Sequence, residues 1–280
     1  PRESVFMNDR VLIRVEGAVA HVLLNRADKH NGMDFPMLDA MLAAQKKMRR
    51  NREVRAIILS GEGASFCSGL DFKTAMSQPM RTLLRATQLL WPFANQFQRW
   101  SVGWRKVGVP VIAAMHGNCF GAGLQLALGA DIRICRPDAK LSLLEAKWGL
   151  VPDMGGIALL RELVPIDVAK ELTFTGRVIS GQEAHALGLV THLSEDPLGH
   201  AQQLAAEIAT RSPDCVAAGK FLLQQAWLVS DYLALRAERL WQRRVIGRAN
   251  QRISLAREQA RSKAGVDGAP QLKPFKPRQL

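Results

Sequence analysis

Residues 116–131 read HGNCFGAGLQLALGAD and follow, after Met115, the apolar run Val111-Ile112-Ala113-Ala114. A short apolar run with no polar alternation predicts a strand covered on both faces. Leu124, Leu126, Ala127 and Leu128 then predict a helix. Between them, Gly121 and Gly123 flank Ala122 where strand gives way to helix. Such a turn can support a dinucleotide, but that fingerprint needs a third glycine where Leu126 stands. Two readings stay open on the residues alone. The glycines can serve only a tight turn and close packing. Alternatively they let backbone N–H groups at a helix N-terminus, with its positive partial charge, approach a ligand oxygen. Two such amides make an oxyanion hole.

Upstream, GEGASFCSGLDF (61–72) repeats the arrangement after the run Ala56–Leu59. Downstream, KLSLLEAKWGLVPDMGG (140–156) reads as strand-like alternation ending at Glu145, then an apolar loop bearing Asp153. Leu143, Leu144, Trp148, Leu150, Val151 and Met154 surround the two acids in sequence. An apolar setting raises a carboxyl pKa and makes it useful for proton transfer.

The rest of the chain supplies a frame. Val19–Leu24 predicts another strand. Asp34 predicts a helix cap ahead of Leu38, Met41, Leu42, Gln45 and Met48. Met80 to Lys106 has a helical pattern that Pro92 should kink or split. Its aromatic residues Trp91, Phe93, Phe97, Trp100 and Trp104 fit either a bulky pocket or plain core packing. Ser180-Gly181-Gln182-Glu183 reads as a capping box, and Leu189–Leu193 as a short strand. Up to about residue 195 strands and helices alternate. From Pro197 to Ala264 only helices follow, broken at Ser212-Pro213 and capped again at Ser230-Asp231. Three prolines and no periodicity predict an extended or flexible tail over 265–280.

Composition narrows the function classes. With 280 residues and 48% hydrophobic content the chain can bury a large core, while no apolar run approaches the roughly 18 residues of a membrane span. Arg2 to Arg10 is too polar for a secretory signal, so the default expectation is a cytoplasmic protein. Cys67, Cys119, Cys135 and Cys215 lack metal-site spacing, which predicts reduced, mostly buried thiols and no metal. Lys and Arg (38) exceed Asp and Glu (25) by 13, a bias that attracts anions such as a polyphosphorylated cofactor or RNA. The basic clusters at Lys46, Lys47, Arg49, Arg50 and Arg52 and at Arg236, Arg239, Arg243, Arg244, Arg248 and Arg252 read first as solvated helical faces.

Four segments in order carry a resemblance: LNRADKHNGMD (24–34), GEGASFCSGLDF (61–72), AMHGNCFGAGLQLALGADIRI (114–134) and EAKWGLVPDMGG (145–156). Together they make the chain similar to the crotonase, or enoyl-CoA hydratase/isomerase, superfamily over nearly its whole length. The resemblance implies an α/β fold, a crotonase-like spiral of β-β-α units over 1–195 carrying an acyl-CoA site. A helical trimerisation region over 196–264 and an extended tail over 265–280 complete it. It implies a homotrimer or hexamer and an acyl-CoA thioester as substrate, with no separate cofactor, no membrane partner, and nucleic acid only as an alternative anion.

Carried over by position, the oxyanion amides fall on Leu70, after Ser68-Gly69, and on Ala122, between Gly121 and Gly123. The family usually has glycine where Ala122 stands, but an alanine N–H can also donate. Arg26, Lys29 and Lys73 are implied along the CoA moiety, with Gly69, Gly121 and Gln125 against the thioester. Family hydratases use two glutamates; the first falls on Gln125, which cannot be a general base, and the second on Glu145. Asp153, eight residues beyond, matches the acid pattern of Δ3,5-Δ2,4-dienoyl-CoA isomerases, although those usually carry another acid where Gln125 stands. The implied activity is a double-bond isomerase with Asp153 as base and Glu145 as proton donor. The alternatives are a hydratase-type lyase using Glu145 alone and a non-catalytic acyl-CoA- or RNA-binding relative.

Overall fold

In the computed structural model, residues 9–77, 79–90, 92–264 and 272–280 are described. The apolar runs become one six-stranded sheet in the order β1-β2-β3-β4-β6-β9. Its strands are β1 (Val11–Glu16), β2 (Val19–Leu24), β3 (Ala56–Gly61), β4 (Val111–Met115), β6 (Ile132–Cys135) and β9 (His192–Leu193). β1 and β2 form an antiparallel hairpin, and every later pairing in this sheet is parallel. A second sheet, β5-β7-β8, joins β5 (Asn118–Phe120), β7 (Lys140–Ser142) and β8 (Ile179–Ser180). β3 and β4 are covered on both faces, as their unbroken apolar sequence requires. β2 instead alternates buried and half-buried residues, because it lies beside the edge hairpin strand.

Helices cover both faces of the large sheet. α1 (Phe35–Arg50) starts where expected: the Asp34 side chain accepts the Met37 N–H at 2.9 Å, a cap worth about 1 kcal/mol. Its buried face carries Leu38, Met41 and Met48, each contributing about 1.5–3 kcal/mol by burial. The Met80–Lys106 segment is split as Pro92 predicts. α2 (Phe72–Met76) and α3 (Pro79–Ala86) precede the break, and α4 (Gln96–Val102) follows it. A reciprocal capping box between Asn95 and Gln98 opens α4, a signal the sequence reading passed over. Trp100 and Trp104 are fully buried core residues, Phe97 packs half-buried against that core and Phe93 is exposed; Trp91 lies outside the described residues.

α5 (Ala122–Leu128), α6 (Gly156–Leu160), α7 (Ile166–Thr175) and α8 (Gly181–Ala186) complete the alternating part. Ser180 caps α8 by accepting the Glu183 N–H, while the Glu183 carboxylate takes Arg177 instead of closing the box. Four helices follow: α9 (Pro197–Ala209), α10 (Pro213–Ala226), α11 (Asp231–Val245) and α12 (Ala249–Ala264). Ser212 caps α10 through the Cys215 N–H, whereas Ser230 makes no side-chain cap. α9 belongs to the sheet: Ala201 and Ala205 pack on Ala56, Ile58, Ile112, Ala114 and Ile134. Residues 272–280 form neither helix nor strand, but they are tied down rather than free. Lys276 N–H donates to Asn250 Oδ1 at 2.9 Å, Gln279 N–H to Asp214 Oδ1 at 2.6 Å, and Arg278 Nη2 to Asn51 O at 2.8 Å.

Three of the four cysteines are buried and Cys215 is exposed. Among the described residues no helix is long and apolar enough to cross a membrane.

Candidate active site

The two glycine-containing turns meet backbone to backbone. Phe66 and Cys67 N–H donate to the carbonyls of His116 and Asn118, and Phe120 N–H returns a bond to Cys67 O. This zipper sets residues 65–70 beside β5 and the first turn of α5. Gly123 makes the approach possible, since a Cβ there would stand 2.3 Å from Cys67 O. Gly121 caps α5 at φ 48°, a backbone region that suits glycine, and its N–H donates to Ser142 O at 2.9 Å.

Two N–H groups of these turns are thereby left without a protein acceptor among the described residues. Ala122 is the first residue of α5, so its N–H has no acceptor inside the helix. Leu70 bridges Met33, but the bridge is made by Met33 N–H on Gly69 O (2.7 Å) and Asp71 N–H on Met33 O (2.9 Å). Neither bond uses the Leu70 N–H. A cavity of about 110 Å³ is lined by Ser68, Gly69, Leu70, Gly121 and Ala122 on this side. Leu144, Glu145, Trp148, Leu150, Asp153 and Met154 close the other.

The acids sit differently from the sequence expectation. The strand ends at Ser142, and Glu145 lies on a 3₁₀ turn, Leu144–Trp148, that Gly149 terminates in the left-handed region. That turn swings the carboxylate over the glycine turn: a Cβ on Gly121 would lie 3.2 Å from Glu145 Oε1. Burial raises the Glu145 pKa, the charge of Asp153 adds to the rise, and hydrogen bonds from its own backbone and from Gln125 oppose it. Asp153 keeps solvent contact at the loop surface, yet its apolar surroundings raise its pKa as well.

Two residues expected along the substrate have protein partners. Gln125 is fully buried and does not line the cavity; its side chain bonds Glu145, Met154 and Gly156. Arg26 is buried and bound to protein carboxylates, with Nη2 2.9 Å from Asp71 and Nη1 3.7 Å from Asp34. Its Nη1 also donates to Gly32 O at 2.8 Å. A cation with those partners is a clamp on the loop that carries Leu70. Burial works against ionisation of Asp71, but hydrogen bonds from Thr74 and Arg26 outweigh it and hold the carboxyl below its usual range. Lys29 and Lys73 are exposed beside the same loop, Lys29 accepting the Ser68 hydroxyl on its carbonyl at 3.3 Å.

Sequence reasoning missed two supports. Trp100 Nε1 donates to Ala122 O at 2.9 Å, fixing the peptide at the head of α5 from within the core. Asp71, adjacent to Leu70, was legible as a neighbour but not as the partner of Arg26.

The chain is similar to known proteins in both sequence and fold. The family model described as enoyl-CoA hydratase/isomerase matches residues 14–255. Mouse mitochondrial Delta(3,5)-Delta(2,4)-dienoyl-CoA isomerase is 33% identical over 213 residues, covering 73% of this chain and 65% of that protein. An enoyl-CoA hydratase crystal structure from Bacillus anthracis superposes with a TM-score of 0.84 at 26% identity, covering 94% of this chain and 99% of that one. A Thermobifida fusca YX structure in complex with acetoacetyl-CoA gives 0.75 at 30% identity, covering 84% and 94%. With the family model spanning most of its length, the chain has the crotonase fold and belongs to the enoyl-CoA hydratase/isomerase family.

Proposed function

We propose that the protein isomerises the double bond of an enoyl- or dienoyl-CoA through an enolate. The observation that carries this reading is the unlike surroundings of three side chains. Glu145 and Asp153 line one apolar cavity with the Leu70 and Ala122 amides, while the group touching Glu145 is the neutral amide of Gln125. With the thioester carbonyl oxygen between the two N–H groups, Asp153 takes a proton from carbon. The C–H electron pair moves into the conjugated system and onto that oxygen, and Glu145 delivers a proton to a more distant carbon. No atom is gained or lost. Losing one oxyanion donor typically costs about 10²- to 10³-fold in rate. Lys29 and Lys73, exposed beside the loop that carries Leu70, suit the phosphates of CoA. The acetoacetyl-CoA bound by the Thermobifida fusca structure supports a CoA thioester as ligand.

The test is a panel of 3,5-dienoyl-, 3-enoyl- and 2-enoyl-CoA followed by conjugated-diene absorbance and product mass. Isomerisation changes conjugation at constant mass, and Asp153→Asn or Glu145→Gln lowers it by about 10²- to 10⁴-fold. Rapid gain of one water on 2-enoyl-CoA supports the hydratase reading instead, with Glu145 as its acid. Silence across the panel, with RNA affinity that collapses as salt rises, refutes both.

A further inference from the structure

Gln125 joins the two acids. Its Oε1 accepts the N–H of Met154 on the loop that carries Asp153 and the N–H of Gly156 at the start of α6, each at 3.0 Å. An oxygen facing two donors fixes the amide orientation, so the nitrogen faces Glu145, and Nε2 donates to Glu145 Oε1 at 2.6 Å. A proton on that carboxylate oxygen would meet the amide hydrogen head on. The other oxygen, Oε2, is buried and has no hydrogen-bond partner among the described residues.

We propose that Gln125 is a positioning residue that keeps the proton of Glu145 on Oε2 and holds the Asp153 loop in register with it. One neutral amide thereby aligns both proton-transfer groups. Only the destination of that proton rests on the isomerase reading; the arrangement of donors and acceptors stands without it. The amide donor favours the charged carboxylate and so works against burial, which favours the neutral acid. Of the charged groups around the 3₁₀ turn, namely Lys147 on it, Asp167, Lys170 and Glu171 on the packed helix α7, and Asp153 on the next loop, Asp153 is the one whose charge raises the Glu145 pKa.

The experiment is a ¹³C carboxyl NMR titration of the full chain, with the Glu145 resonance assigned by its loss in Glu145→Gln. Gln125→Met keeps the approximate volume and removes the donor. Hydrogen bonds to charged groups then predict a midpoint about one to two pH units higher. Gln125→Glu keeps an acceptor for the Met154 and Gly156 N–H groups but sets a second carboxylate against Oε1. The pair then shares a proton, and its upper apparent pKa rises further. A melting temperature that falls while the Glu145 midpoint stays in place shows a merely structural amide and overturns the proposal. Should Gln125→Met fail to fold, Gln125→Glu decides alone, since an unmoved midpoint there overturns it equally. If the parent protein is silent on the acyl-CoA panel, the isomerase reading falls, while the Glu145 midpoint still decides whether Gln125 sets the proton position.

Discussion

The two N–H groups proposed to hold the thioester oxygen, those of Leu70 and Ala122, are held by opposite kinds of physics. Ala122 heads α5, a helix buried along its whole length, and its carbonyl is pinned by the indole of a fully buried tryptophan. Leu70 is half-buried on a loop, and its neighbours are held by a two-bond bridge to Met33 and by the Arg26–Asp71 ion pair. One donor is fixed by the core and the other by paired charges just beneath the surface. The difference teaches that the two sides of the proposed oxyanion site are tied down differently, one by packing and one by charge. The two sides should therefore fail differently.

Arg26→Met gives the largest effect. It strands Asp71 without its cation, and breaking a buried ion pair costs about 3–5 kcal/mol. The low end applies, because Asp71 keeps 17% of its side chain exposed and Asp34 retains Arg10 at 3.0 Å. With the clamp lost, kcat should fall while KM for the acyl-CoA stays within about twofold, the pattern of an interaction made in the transition state. A large rise in KM at unchanged kcat would instead put Arg26 on the CoA and break the comparison. Trp100→Phe comes next. It removes the indole bond from an Ala122 carbonyl that, at the start of α5, still has its intrahelical acceptor role, at about 0.5–1.5 kcal/mol, with a loss of kcat no greater than the roughly 10²- to 10³-fold of a missing oxyanion donor. Because no charge is involved, that loss should be indifferent to salt. Stopped-flow assays at two ionic strengths check it.

Local chemistry was legible where it acts over a few residues. Asp34 as a cap, Pro92 as a break, and the strand-turn-helix of residues 111–128 all follow from neighbours three or four positions away. Glu145 was assigned to a strand because apolar alternation continues past Ser142. The left-handed Gly149, which closes a 3₁₀ turn, is a three-dimensional fact that alternation does not record. The protein partners of Gln125 and Arg26, both expected along the substrate, were not legible for another reason. The partners of Gln125 lie 20, 29 and 31 residues away, and Asp71 is 45 beyond Arg26. A polar side chain's role depends on which backbone the fold brings to it, and nothing in the local spacing encodes that. The tail was read as extended or flexible because it lacks periodicity, and what local spacing does not record is that residues 272–280 are held by hydrogen bonds to Asn51, Asn250 and Asp214.

The smallest effect sharpens the comparison most, because the two kinds of carboxylate respond to pH with opposite signs. Asp71 is held below its usual range, so the ion pair stabilises the fold above the unfolded carboxylate pKa, and that stability is lost as pH falls through the folded value. The deficit of Arg26→Met relative to the parent should therefore shrink in acid. Glu145 and Asp153 are raised, so the folded chain holds their protons longer than the unfolded chain does. The parent then loses stability as pH climbs from the ordinary carboxylate range through the folded values. Glu145→Gln removes one of those liabilities. Its melting temperature should match the parent below about pH 4 and gain on it as pH rises through that window. A Glu145→Gln curve parallel to the parent at every pH would mean that burial of this acid does not strain the fold. The contrast between a charge-stabilised clamp and a charge-averse cavity would then fail on the cavity side.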